Sequence, residues 1–220
     1  PIIAYQDRYN FRQRNAHLRS SYANYIQFTH NYNNLLYTGL YFSRVTDFFN
    51  FVYFEQNDAT KVYITTKMNL KNVTTYGLTF NATTGLTRCW LVNFDVNASY
   101  QRYKDYSGHL NSGTVDALFK INQQFTLPAN IAINLYGQYE VPTRYSIYYY
   151  RSTYYMRGSI SKKMFDNAAT LALSLDDAFN SSRDRYNSNY INLNAVGYDK
   201  RETRIARISF TYQFGKTSVN

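Results

Sequence analysis

Residues 204–214 read RIARISFTYQF, and the way this stretch alternates decides the fold. Ala206, Ile208, Phe210, Tyr212 and Phe214 occupy the even positions and are apolar, while Arg207, Ser209, Thr211 and Gln213 occupy the odd ones and are polar. A period of two belongs to a β-strand with two unlike faces. One face meets apolar surroundings and the other meets water. A soluble sandwich and a membrane wall both need such a strand, so the choice rests on the rest of the chain.

Working back from this stretch, the same alternation recurs at intervals. Leu171, Leu173 and Leu175 oppose Thr170, Ala172, Ser174 and Asp176; Tyr154, Met156, Gly158 and Ile160 oppose Tyr155, Arg157, Ser159, Ser161 and Lys163. Ile131, Ile133, Leu135, Gly137 and Tyr139 oppose Asn134, Tyr136, Gln138 and Glu140, and Val115, Ala117, Phe119 and Ile121 oppose Asp116, Lys120, Asn122 and Gln124. The longest clean run puts Trp90, Val92, Phe94, Val96, Ala98 and Tyr100 against Asn93, Asp95, Asn97, Ser99 and Gln101. A face that carries Asp95 is not a dry core. Further upstream, residues 61–83, 36–43 and 17–29 complete about nine strands, with a bulge expected near Asn72. Residues 1–16, rich in arginine and without a clean period, read as a loop.

The connections fall into two length classes. Residues 31–34, a turn around Gly85, residues 128–130 and residues 166–167 are short, whereas residues 47–60, 103–112 and 180–201 read as long polar loops. Short turns on one rim and long loops on the other describe an antiparallel up-and-down transmembrane β-barrel. A sandwich gives no reason for this segregation, and its strands are commonly about five to six residues long. The fold expected is therefore all-β, with residues 1–220 as one outer-membrane barrel domain. An aromatic residue closing the last strand, Phe214, is also how such barrels end. The companion expectation is that Ile208, Phe210, Tyr212 and Phe214 form the strand that engages the barrel-assembly machinery.

Composition agrees with this reading. The chain has 220 residues, 25 Tyr and 15 Phe but only 9 Gly and 3 Pro, which is not the composition of a disordered chain. A mean hydropathy of -0.51 suits strands, because only every second residue meets lipid. No run of about 18 apolar residues offers a spanning helix. Pro1 does not begin a signal peptide, so a mature chain or a piece of a longer one is expected. The net charge of +10 is spread along the sequence and not gathered on one face. That argues against nucleic acid; a plain solvated surface is the simplest reading, with attraction to anionic headgroups or solutes the next.

The segments DNAATLALSLDDAFN (residues 166–180), ETRIARISFTYQFG (202–215), FTLPANIAINLYGQYE (125–140) and YYMRGSISKKMF (154–165) resemble the C-terminal part of the TonB-dependent-receptor-like outer-membrane β-barrels. The resemblance covers essentially the whole chain and is most specific in its final third. It implies the last strands of a large barrel, usually of 22 strands around a plug domain, in the outer membrane of a Gram-negative bacterium. It also implies a receptor or transporter that takes up a solute. No plug and no TonB-contacting segment is recognisable here, and the strands are too few for the whole barrel. The runner-up expectation is a small structural or adhesive barrel component of a multi-protein complex.

Patterns that could carry chemistry have simpler readings. Ser159 and Lys162 match a Ser-x-x-Lys acylation motif, but that motif needs a helix start; on a strand, positions three apart face opposite sides. Asp176 and Asp177 are adjacent, so on a strand they point apart and cannot work as an acid/base pair. His17, His30 and His109 are isolated, and the lone Cys89 permits no internal disulfide. No catalytic residue, metal site or cofactor is expected, and enzyme activity is not. The polar residues expected to line a wet lumen are Asp95, Lys120, Asn134, Glu140, Arg157, Lys163 and Asp176. Trp90, Tyr100, Tyr139, Phe165, Tyr212 and Phe214 read as interfacial girdles, with sugar stacking by Tyr145, Tyr148, Tyr149 and Tyr150 as the rival use of aromatics. Partners expected are outer-membrane lipid and lipopolysaccharide, the assembly machinery and companion surface lipoprotein chains.

Overall fold

The computed structural model describes residues 3–5, 7–57, 59–108, 110–145, 148–190 and 193–214. Fifteen strands are present: β1 (Ile3–Tyr5), β2 (Asn10–Gln13), β3 (Tyr22–Tyr32), β4 (Leu36–Gln56), β5 (Tyr63–Thr87), β6 (Trp90–Lys104), β7 (Asn111–Leu127), β8 (Ile131–Glu140), β9 (Thr143–Tyr145), β10 (Tyr148–Tyr150), β11 (Thr153–Met164), β12 (Ala169–Asp176), β13 (Asp184–Tyr190), β14 (Leu193–Asp199) and β15 (Ile205–Tyr212). Nine of them, β3 to β8, β11, β12 and β15, form one antiparallel meander in which each strand pairs with the next. This is the up-and-down wall that the alternation dictates.

Register locks the two faces across the wall. One ladder row runs Leu36, Ala82, Phe94, Ile121, Gly137 and Met156, and another runs Phe80, Val96, Phe119, Tyr139 and Tyr154. Rows on the other face run Asn81, Asp95, Lys120, Gln138 and Tyr155, or Thr83, Asn93, Asn122, Tyr136 and Arg157. A slip of one residue would turn every apolar side chain to the polar side, so the register is strongly specified. The apolar face is left open: Ile208 is 78% and Phe210 59% exposed.

The wall does not close. β15 pairs with β12 on one side, β3 pairs with β4, and no pairing of β15 with β3 exists among the described residues. Across nine antiparallel strands the first and last run in the same direction, so sealing them together would demand a parallel pair.

Turns at one rim are short: residues 33–35, 88–89, 128–130 and 165–168. Left-handed backbone at Asn33, Asn34, Ala129, Asn130, Phe165, Asp166 and Asn167 makes three of them possible, asparagine and aspartate tolerating it best. Gly85 is not the turn that its sequence context suggests. It pairs with Leu91 beside a register shift, and the chain reverses at residues 88–89 instead.

The opposite rim departs further from expectation. Residues 47–60 are not a loop, because β4 continues to Gln56 against Tyr63–Leu70 of β5, past an irregularity between Phe48 and Phe51. Asp47 adopts φ of 52°, and its carbonyl accepts hydrogen bonds from the Ser21 hydroxyl (2.8 Å) and the Asn69 amide (2.6 Å). These bonds hold the irregularity in place on β4, opposite residues 68–70 and not at the expected Asn72. The loop of residues 103–112 shrinks to 105–110. Residues 1–16 contain a hairpin, β1 with β2, and β2 adds in parallel to Tyr63–Thr66 of β5.

Residues 180–201, expected as irregular, hold the hairpin β13–β14, which joins β9 and β10 in a second, four-stranded sheet ordered β14-β13-β10-β9. The tyrosine cluster at 145–150 therefore belongs to this second sheet and not to the end of a wall strand. Tyr148 and Ala195 of the sheet pack on a small core of Leu70 and Val73, joined by Phe48, Tyr63, Tyr103 and Leu110.

Candidate functional site

The second sheet sits over the polar face at the long-loop rim, and a recess lies between them. β9 is fixed to β7 by the Arg144 amide, which donates to the Thr114 hydroxyl at 2.9 Å. Behind this contact lies a cavity of about 330 Å³ lined by Asp116, Glu140, Tyr145, Tyr150, Arg151 and Asp184, among others. Three carboxylates face one guanidinium in a chain whose overall charge is +10. The recess is locally acidic, with two phenol rings supplying flat apolar surface and a hydroxyl each.

The tyrosines there are positioned by a missing side chain. Tyr186 of β13 faces Gly197 of β14, and a Cβ on Gly197 would come within 2.0 Å of the Tyr186 ring. Lying flat across the glycine, Tyr186 meets Tyr148 and Tyr150 with ring centroids at 5.3 Å from each. Burial holds the Tyr148 and Tyr150 phenols above their ordinary pKa, so both stay neutral hydrogen-bonding groups at neutral pH. Tyr145 and Tyr149 remain exposed.

Two aspartates anchor the rim beside the recess, and their adjacency separates them as expected. Asp176, at the end of β12, turns to the polar face and binds Arg157 of β11 (2.5 Å) and Arg207 of β15. Asp177, left-handed at φ of 44°, turns away and is fully buried. It accepts hydrogen bonds from the backbone amides of Ser181 (2.8 Å) and Ser182 (3.2 Å), from the Thr203 hydroxyl (2.6 Å) and from the Lys200 ammonium (3.3 Å). Burial alone would raise its pKa. The hydrogen bonds from Thr203, Ser181, Ser182 and Lys200 outweigh that and hold the carboxyl well below the ordinary carboxylate range. The pair is structural: it ties the long connection of residues 177–204 to the wall.

The remaining residues singled out from the sequence are placed as follows. Asp95 accepts a hydrogen bond from Asn81 at 2.5 Å and stands opposite Lys120; Asn134 stands between Gln124 and Ser159. Glu140 lies between Leu118 and Thr153, and Lys163 opposite Thr170. All lie on the polar face, but only Glu140 reaches the cavity and only Arg157 and Asp176 meet each other. Ile208, Phe210 and Tyr212 share the apolar face of β15, whereas Phe214 lies past its end with its ring 4.6 Å from that of Tyr212. Ser159 and Lys162 sit on opposite faces of β11. His17 and His30 are far apart in the chain, and His109 lies outside the described residues. Asp116, Arg151, Asp184 and Arg207 were not singled out by sequence, since only the pairing of distant strands brings them into place.

A wall of nine antiparallel strands with one apolar and one polar face, short turns on one rim and built-up loops on the other, defines an integral outer-membrane β-barrel protein. The chain matches the model of the outer membrane protein beta-barrel family over residues 1–212, and it belongs to that family. No curated protein and no solved structure matches it.

Proposed function

We propose that the chain supplies the last strands of a large outer-membrane receptor of the TonB-dependent type, which takes up a solute through a wet lumen. The observation that carries this reading is the open nine-stranded wall. Unpaired backbone groups at β3 and β15 would each cost several kcal/mol in hydrocarbon, so further strands must pair with both edges. About eight strands make a barrel just wide enough for side chains to fill, and the far larger barrel proposed here encloses a channel or a plugged lumen.

In this arrangement the apolar face meets lipid and the polar face, with Asp95, Lys120, Asn134, Arg157 and Lys163, lines the lumen. The long-loop rim is extracellular. The acidic recess with Tyr145 and Tyr150 then stands at the outer mouth, where an incoming solute meets it first.

Cells with and without the gene, given radiolabelled maltoheptaose, cobalamin or ferric desferrioxamine, test the proposal. Uptake of at least one probe should need both the gene and an energised inner membrane, disappearing with a proton ionophore. If uptake of every probe is indifferent to the gene while surface attachment falls on its deletion, the structural or adhesive alternative replaces this reading.

A further inference from the structure

The apolar face ends, at the extracellular rim of β4 to β6, in a compact group of cations. The lipid band is marked out by β6 itself. Trp90, stacked on Phe125 with centroids 5.3 Å apart, stands at the periplasmic end, and Tyr100 stands ten residues later in a row with Phe42 and Tyr76. Ten residues at about 3.3 Å each, tilted by roughly 40°, cover about 25 Å of depth, the height of a barrel's apolar band. Tyr100 and its row are therefore the outer aromatic girdle.

The next row outward on the same face is Arg44, Thr74 and Arg102, and the one beyond it is Thr46, Asn72 and Lys104. Together they form a recess of about 270 Å³ in which Arg44, Arg102 and Lys104 stand around a floor of Asn72 and Thr74. Arg44 and Arg102, one strand apart on either side of β5, have backbones roughly 10 Å from each other. Both guanidinium groups can thus reach one ligand held over Thr74. Among the described residues none of the three cations has a carboxylate partner; Arg102 donates only to the Asn111 side chain, at 3.1 Å.

The seat is shaped as well as charged. The Tyr100 ring lies across Gly113 of β7, where a Cβ would come within 2.1 Å of its hydroxyl oxygen, and this flattens the wall beside Arg102, which pairs with Gly113. Further along the wall the pattern stops: above Phe119 and Tyr139 the chain carries Ala117 and Val141.

We infer that Arg44, Arg102 and Lys104 form a binding site for a phosphorylated lipid headgroup of the outer leaflet, the chemistry that lipopolysaccharide presents. Position decides the occupant. The cations stand on the side of the wall that meets lipid, at headgroup depth, over an aromatic girdle that packs against acyl chains. Guanidinium groups bind phosphate through paired N–H donors, and an ammonium adds a point charge. The inference uses the barrel's orientation but not the identity of the transported solute.

The purified full-length protein in neutral detergent is the material for the test, with vesicles of phosphorylated lipid A as probe. Arg44→Gln, Arg102→Gln and Lys104→Gln together should weaken binding roughly 100-fold, as expected for three cations near a charged surface. Lys120→Gln, on the polar face, should leave it unchanged. Should the triple variant not fold, the native protein answers alone: it should lose binding to the same lipid after phosphatase treatment. Inorganic phosphate at millimolar concentration should not compete. Unchanged binding after either loss of charge, or full competition by free phosphate, overturns the inference.

Discussion

The membrane band and the long-loop rim of this protein are stabilised by opposite means. Along the band, large apolar side chains such as Ile26, Phe28, Leu171, Leu173 and Ile208 stand exposed, and burial is left to the lipid. At the rim the chain covers itself: Leu70 (2% exposed) and Val73 form a core, and Asp176, Asp177, Ser181 and Ser188 are buried polar residues with partners. One chain thus folds against two solvents. Where hydrocarbon surrounds it, register and alternation suffice; where water surrounds it, it needs packing and hydrogen-bonded anchors like any soluble domain.

The sharpest way to separate the two regions is at Asp177. Asp177→Ala would leave Thr203, Ser181, Ser182 and Lys200 without their shared acceptor. Removing one partner of a buried charged cluster costs about 3–5 kcal/mol. The cost should fall on the rim alone, read as lost hydrogen-exchange protection at the Ser181 and Ser182 amides while the amides of β6 and β7 stay protected. Acid tests the same anchor. Because the folded pKa lies below the ordinary value of 3.8, the carboxylate's contribution is complete above that value and is lost as pH falls toward the folded one. Protection at Ser181 that is indifferent to pH between 5 and 2 would sink this account.

A smaller effect is expected within the band. Leu135 stands midway along the apolar face of β8, between Ile131 and Tyr139, in a row with Gln123 and Gly158. An arginine there faces the middle of the lipid and should cost about 2–4 kcal/mol, measured as a shift in the urea midpoint of refolding into liposomes. Less than about 1 kcal/mol would mean that this face does not meet lipid.

The same contrast decides what the sequence discloses. The nine wall strands, their faces and three of the four short turns follow from alternation, because a strand between lipid and water has only two environments and records them residue by residue. The rim is written otherwise. β4 beyond Asp47 runs Phe48, Phe49, Asn50, Phe51, Val52, Tyr53 and Phe54, with no alternation to follow, since part of it lies against a local core and part against a register shift. β13 and β14 are short, tyrosine- and asparagine-rich strands whose partners, β9 and β10, lie about 40 residues away in sequence. The cavity suffers most from this. Asp116, Glu140 and Asp184 are each an unremarkable polar residue on its own strand, and only long-range pairing makes them neighbours.

The smallest expected effect is also the most diagnostic, because it lies one residue from a large one. Asn134 precedes Leu135 on β8 and therefore points to the other face, between Gln124 and Ser159. Its neighbours across the ladder are small or neutral. If that face lines a wet lumen, an arginine at 134 keeps its hydration, its charge is screened by water and ions, and the change should stay within about 0.5 kcal/mol. Strand position, depth and the introduced side chain are then nearly the same as in Leu135→Arg, and only the direction of the side chain differs. A soluble sandwich with a dry core would invert the pair, the damaging site being the one that faces inward, and a wall wetted on both sides would make both changes silent. Only a barrel wall makes arginine costly at 135 and free at 134. Equal midpoints for the two variants would break the distinction between the faces on which the whole arrangement rests.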